Sequence, residues 1–182
     1  SDGETCVNFE TSMRGKRVYI LTSPNTALKI MQLNFAIDAA KRASAVEIIP
    51  IVPFFPYSRQ DKRDQYRGPI GAKVMAEMIE NRGATSIITF DLHAEQIEGF
   101  FNIPVIHLKG KHLFYETVLK HSNSNTVFCS PDEGGVKRVQ RMRNLIIKHN
   151  ESIDIPYVTI DKTREKPNEV GSMVIIGEVK GK

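Results

Sequence analysis

The chain has 182 residues, 41% of them hydrophobic and 25% charged, with a formal charge of +4 and an isoelectric point near 9.1. That is enough chain for one large globular domain or two small ones, and the composition excludes a disordered or fibrous protein. No apolar run approaches the roughly 18 residues of a membrane-crossing helix, and the mild basicity suits an anionic substrate as well as it suits nucleic acid.

In chain order, "KRVYILTS" predicts a strand. "TALKIMQLNFAIDAAKRASA" has the period of a helix and sets Leu28, Met31, Phe35 and Ala39 on one apolar face. "VEIIPIVPFF" reads as a buried strand in which Pro50 and Pro53 signal a bulge or an edge. "IGAKVMAEMIENRG" predicts a helix closed by Gly83. Then come the strand "SIITFDL", a helical turn at "AEQIEGFF", the strand "VIHL", a helix near "HLFYETVLKHS" and the strand "NTVFCS". Within that last strand Cys129 reads as a buried, inert thiol. "GGVKRVQRMRNLIIKHN" predicts an amphipathic helix with Val136, Val139, Met142, Leu145 and Ile146 inward and Lys137, Arg138, Arg141 and Lys148 in water. The strands "IPYVTID" and "MVIIGEV" complete the series.

This alternation predicts βαβ units around largely parallel sheets, in two α/β domains covering 1–110 and 111–182. Cys6 and Cys129 fit no CxxC or zinc spacing, so a reduced, cytoplasmic setting is the default. No secretory leader is present, a point weakened because the chain opens on Ser1, not Met. With no Trp and its aromatics mostly in apolar strands, the chain lacks the stacking pattern of a single-strand binder.

The most polar stretches follow directly on predicted strands: "SRQDKRD" after "VPFF", "DLHAEQ" after "IITF", "PDEGG" after "VFCS" and "DKTREK" after "YVTI". In open α/β sheets ligands bind beyond the carboxyl ends of the strands. Arg59, Lys62, Arg63 and Arg67 are either a phosphate clamp or a solvated loop with weak ion pairs. Asp132 either caps the helix after Gly134 and Gly135 or holds a cation beside a helix N-terminus. Lys162 and Arg164 either neutralise a transferring phosphoryl group or decorate a turn. His93 with Asp132 makes a nitrogen–oxygen ligand pair that by chemistry alone suits Mn²⁺ or Zn²⁺ equally. The bland alternative has Asp91 capping the next helix and His93 lying idle at the surface.

Taken together, "SDGET", "VPFFPYSRQDKRD", "GPIGAKVMAEMI", "TFDLHAEQIEGFFNIPV", "FCSPDEGGVKR" and "DKTREKPNEV" resemble the ribose-phosphate pyrophosphokinases, in order and along almost the whole chain. The resemblance implies two phosphoribosyltransferase-like α/β domains, the second incomplete. It implies transfer of the diphosphoryl group of Mg-ATP to the anomeric hydroxyl of ribose 5-phosphate, giving AMP and phosphoribosyl pyrophosphate. It places Asp2 and Glu4 against the adenine of a neighbouring subunit, and Arg59, Gln60 and Asp64 at the ATP site. His93 and Asp132 would hold Mg²⁺ on the phosphates, and Lys162 and Arg164 would belong to a catalytic loop. It further implies a homo-oligomer, a hexamer in such enzymes, with no nucleic acid or membrane partner.

The chain departs from the family pattern in three places. It stops at "GEVKGK", before the loop that cradles the sugar phosphate, so no residue here is assigned to that site. The family's first strand and helix ahead of "SDGET" are missing, and "TSPNTALKIMQL" is a little shorter than the usual loop, which puts the subunit contacts and the regulatory phosphate site that this loop helps form in doubt. Two other functional readings stand beside the enzyme: a non-catalytic regulatory homologue that binds nucleotide and synthase subunits, and nucleic-acid binding through the basic helix, which predicts steep salt dependence.

Overall fold

The computed structural model describes residues 2–63, 66–123, 125–149, 155–162 and 172–181. These form two compact units, Ser1–Lys109 and Gly110–Lys182. The first runs β1 (Arg17–Leu21), α1 (Ala27–Arg42), β2 (Glu47–Val52), α2 (Gly71–Arg82), β3 (Ile87–Phe90), a 3-10 turn (Glu95–Phe100) and β4 (Val105–Leu108). The second runs α3 (Lys111–His121), β5 (Phe128–Ser130), a short 3-10 turn (Glu133–Gly135), α4 (Val136–His149), β6 (Tyr157–Lys162) and β7 (Met173–Ile176).

In the first unit all four strands are parallel, in the order β1-β2-β3-β4. Parallel neighbours require crossovers; α1 and α2 supply the first two, and the segment carrying the 3-10 turn supplies the third. Thr26 caps α1, its hydroxyl accepting from the Lys29 N–H at 3.3 Å, and Lys41 and Arg42 in the last turn complement the helix dipole. Gly83 ends α2 with φ 121°, and its N–H returns to the carbonyls of Ile79 and Glu80. The core joins Ile30, Leu33, Ile37 and Ala40 of α1, Ala72, Met75, Ala76 and Ile79 of α2, and Val18, Ile48, Val52 and Ile87 of the strands. Leu92, Ile97, Phe55 and Phe101 belong to the same core although they lie in the segments that follow strands.

Three sequence expectations are corrected here. The face of α1 that carries Leu28, Met31 and Phe35 is the outer one; these residues are exposed, while Leu33 and Ile37 are buried. Both stripes have helical spacing, and only the sheet decides which one is covered. Met31 and Phe35 instead line an open groove of about 480 Å³ with Val74 and Met78 of α2.

The second correction concerns Pro50, which sits in a central strand, not at an edge or bulge. Ile48 and Val52 turn their backbone toward β3, accepting from Thr85 and Thr89 respectively, so Pro50 between them faces β3 as well. The β2–β3 register begins only at Ile51↔Ile88, so the missing N–H of Pro50 falls where no ladder bond is required. Third, Cys129 is exposed. Period-two alternation turns Ser130 inward and Cys129 outward on β5, which is an edge strand.

In the second unit β5 and β6 are parallel, and β7 returns antiparallel to β6. Here α4 follows expectation: Ile146 is buried, Val136, Val139, Met142 and Leu145 are half-buried, and Lys137, Arg138, Arg141 and Lys148 are exposed. No helix among the described residues is long and apolar enough to cross a membrane.

Candidate functional site

The loop leaving β2 is pinned before it turns outward. Phe55 is buried and meets Phe101 edge-on, with ring centroids 5.7 Å apart. Tyr57 then adopts a left-handed backbone, φ 54°, which a bulky aromatic takes only where its surroundings impose it. The Gln60 N–H donates to Tyr57 O at 2.8 Å, and Gln60 O accepts from the Ala72 N–H at 3.2 Å. A Cβ on Gly71 would lie 2.4 Å from Gln60 Oε1 and 3.1 Å from Tyr57 Cβ, so a larger residue there would displace the Gln60 amide. Arg59, Lys62 and Arg63 stand exposed around this anchor. Asp64 lies outside the described residues.

Among the described residues, a side-chain hydrogen bond joins this loop to the segment after β3. Asp61 Oδ2 accepts from Gln96 Nε2 at 2.9 Å, so the "SRQDKRD" and "DLHAEQ" stretches meet at one end of the sheet. At that end Asp91 has φ 38°, a strained conformation for a non-glycine residue. The Asp91 N–H donates to Leu108 O at 3.1 Å, the Leu92 N–H donates to His107 Nε2 at 3.0 Å, and Leu92 is buried. His93 follows immediately and is exposed. The reading of Asp91 as a helix cap does not hold: the turn Glu95–Phe100 starts from Ala94 and has no side-chain cap. Asp91 instead shapes the exit from the strand.

The turn itself is tethered at its far end. Asn102 donates its backbone N–H and its side-chain amide to the two Glu80 oxygens, each at 2.9 Å. Those two bonds, the backbone one first, hold the Glu80 carboxyl below its ordinary range. Lys73 Nζ donates to Phe100 O at 2.9 Å, and Lys109 Nζ donates to Glu95 Oε1 at 2.9 Å. Arg59, Gln60 and His93 therefore project from loops whose backbones are fixed in the core, with exposed cations suited to phosphate oxygens.

The second unit builds its own strand-end arrangement. Ser130 is buried at the end of β5 and its Oγ donates to Asp132 O at 2.6 Å. Asp132 Oδ1 accepts from the Gly135 N–H at 2.7 Å, so the side chain caps the turn that runs into α4. A Cβ on Gly135 would lie 2.5 Å from Ser130 Oγ, so the second glycine of the pair is structurally required. Lys162 is the last residue of β6 and pairs with Met173. Arg164 lies outside the described residues. Asp2 and Glu4 are exposed near the start of the chain, either side of Gly3 at φ 76°.

Among the described residues no three His, Cys, Asp or Glu side chains gather closely enough to enclose a metal. His93 offers a nitrogen, and Asp132 a carboxylate with one oxygen engaged in capping. A carboxylate oxygen suits a hard cation such as Mg²⁺, whereas an imidazole nitrogen suits Mn²⁺ or Zn²⁺ better, so by its chemistry Asp132 fits Mg²⁺ and His93 does not select it. Sequence reasoning missed Tyr57, Gly71 and His107, which shape the site without pointing chemistry at a ligand. Of these only Gly71, a glycine at the first position of a helix, carries a local signal.

Residues 1–83 match the family model described as the N-terminal domain of ribose phosphate pyrophosphokinase. The chain is 44% identical to ribose-phosphate pyrophosphokinase 2 of Enterococcus faecalis, over all of this chain and 55% of that protein. It is 43% identical to the ribose-phosphate pyrophosphokinase of Porphyromonas gingivalis, over all of this chain and 56% of that protein. In three dimensions it is similar to the crystal structure of phosphoribosylpyrophosphate synthetase from Mycobacterium smegmatis, with a TM-score of 0.83 and 35% identity, over 99% of this chain and 57% of that one. The chain thus spans about half the length of the curated relatives it matches.

Proposed function

From the premise that the chain belongs to the ribose-phosphate pyrophosphokinase family, we propose that it serves a ribose-phosphate diphosphokinase and carries the residues that bind Mg-ATP and stabilise transfer of its diphosphoryl group. The first unit supplies Arg59, Gln60 and Asp64 to the nucleotide and its phosphates, and His93 to the metal. The second supplies Asp132 to the metal, and Lys162 and Arg164 to the charge that develops as the anomeric oxygen of ribose 5-phosphate attacks the β-phosphorus and AMP leaves. Asp2 and Glu4 serve the adenine of a neighbouring copy in a homo-oligomer. Bound Mg²⁺ would neutralise phosphate charge; the chain's own part is positioning and fixed positive charge, which phosphoryl transfer needs more than it needs covalent chemistry. The setting that goes with these substrates is the cytoplasm.

The observation that carries this reading is the meeting of the Arg59–Gln60 loop and the His93 segment at one end of the parallel sheet, tied by Asp61 and Gln96. The test is ribose-5-phosphate-dependent release of AMP from Mg-ATP. His93→Ala lowers release by about a hundredfold or more, as removal of a charge-stabilising group does in such sites. Asp132→Asn keeps the capping oxygen and lowers release as well, which separates its metal role from its cap. In a protein of the relatives' full length that contains these residues, binding of Mg-ATP with no release of AMP in the presence of ribose 5-phosphate would sink the enzyme reading.

A further inference from the structure

The loop that presents His93 is held by a histidine on the next strand. His107 lies on β4, in register with Thr89 of β3, and only 4% of its side chain is exposed. Its Nε2 accepts from the Leu92 N–H at 3.0 Å. Its Nδ1 meets Glu98 Oε1 at close range. A backbone N–H can only donate and a carboxylate can only accept, so the ring is neutral and carries its proton on Nδ1. Lys109 Nζ, bonded to Glu95, lies 3.3 Å from each ring nitrogen and closes the cluster on a third side.

The consequence falls on His93. Both residues ahead of it hand their N–H groups to β4, Asp91 to Leu108 O and Leu92 to the imidazole of His107. Asp91 is in a strained left-handed conformation and Leu92 is driven into the core, so the chain direction at His93 depends on these two bonds. Main-chain carbonyls make most such tethers; here a side chain makes the second one, and a carboxylate selects its tautomer. We propose that His107, oriented by Glu98, is the positioning residue that sets the Leu92 backbone and thereby aims His93 at the metal–phosphate group of the nucleotide. This rests on the nucleotide reading of His93 given above, and goes beyond it in naming what fixes that residue.

Two measurements on the full chain test the proposal. In the ¹⁵N spectrum of the wild-type protein, His107 shows a protonated Nδ1 and an unprotonated Nε2; a proton on Nε2 would overturn the assignment with no variant involved. His107→Phe fills the volume but offers no acceptor, whereas His107→Gln places an oxygen near the Nε2 position. In His107→Phe, exchange of the Leu92 amide quickens and Mg-ATP affinity falls, each by about tenfold, the scale of one lost hydrogen bond. In His107→Gln both recover to within about threefold of wild type, a rescue that a merely space-filling role would not give. Unchanged Mg-ATP affinity in His107→Phe, with His93→Ala still losing it, would refute the positioning role and leave the nucleotide reading standing. Unchanged affinity in His93→Ala would remove both together.

Discussion

The two units bury their apolar residues very differently. In the first, two helices and four strands close a continuous core that reaches up to Phe55, Leu92, Ile97 and Phe101 beneath the candidate site. In the second, Ile146, Ile155 and Val158 are the buried hydrophobic residues among those described, α3 buries none, and Met173, Val174, Ile175 and Ile176 of β7 are all exposed. The difference separates two ways of holding functional residues. The first unit fixes its loops by burying their apolar members, whereas the second holds Asp132 through a local network of Ser130, Gly135 and the cap hydrogen bond.

The contrast is broken most severely through the first core. Ile37→Ala removes a fully buried side chain and costs about 2–5 kcal/mol, measured by chemical denaturation. Phe114→Ala on the exposed α3 falls within about 0.5 kcal/mol in the same experiment. Should the two losses prove equal, α3 is covered in solution and the contrast between the units fails.

Gly135→Ala is the matching test of the second unit. The added methyl meets Ser130 Oγ, Pro131 and Asp132, and the displaced network costs about 1–3 kcal/mol. It also moves Asp132, so Mg-ATP-dependent activity falls further than stability does. Loss of stability alone would show that Asp132 is a cap and nothing more.

The smallest effect is a pH dependence of the tether behind the 3-10 turn. Glu80 is held below its ordinary value of 4.5 by the Asn102 backbone N–H and then by its side-chain amide. Its contribution is complete above that value and is lost as the pH falls through the lower folded-state value. Thermal melts below about pH 4.5 therefore show a steeper loss of stability in the wild type than in Glu80→Gln, which cannot ionise. Parallel curves would remove Glu80 from the account of how the turn is anchored.

Much of this was legible one residue at a time. The strand and helix periods, the stop at Gly83, the basic outer face of α4 and the placement of polar stretches after strands all follow from local chemistry. The candidate ligands Arg59, His93 and Asp132 stood out because charged and imidazole side chains at strand ends are conspicuous, whereas Gln60 was named only by the family resemblance. What local pattern could not decide was which of two apolar stripes on α1 the sheet would cover, where the ladder beside Pro50 would begin, and which way Cys129 would face. Those outcomes depend on partners distant in the chain. The same holds for the site. The sequence alone determined the chemistry on offer, whereas the bond from Asp61 to Gln96 and the grip of His107 on Leu92 came from tertiary structure, because strand order brings together residues 35 and 15 positions apart.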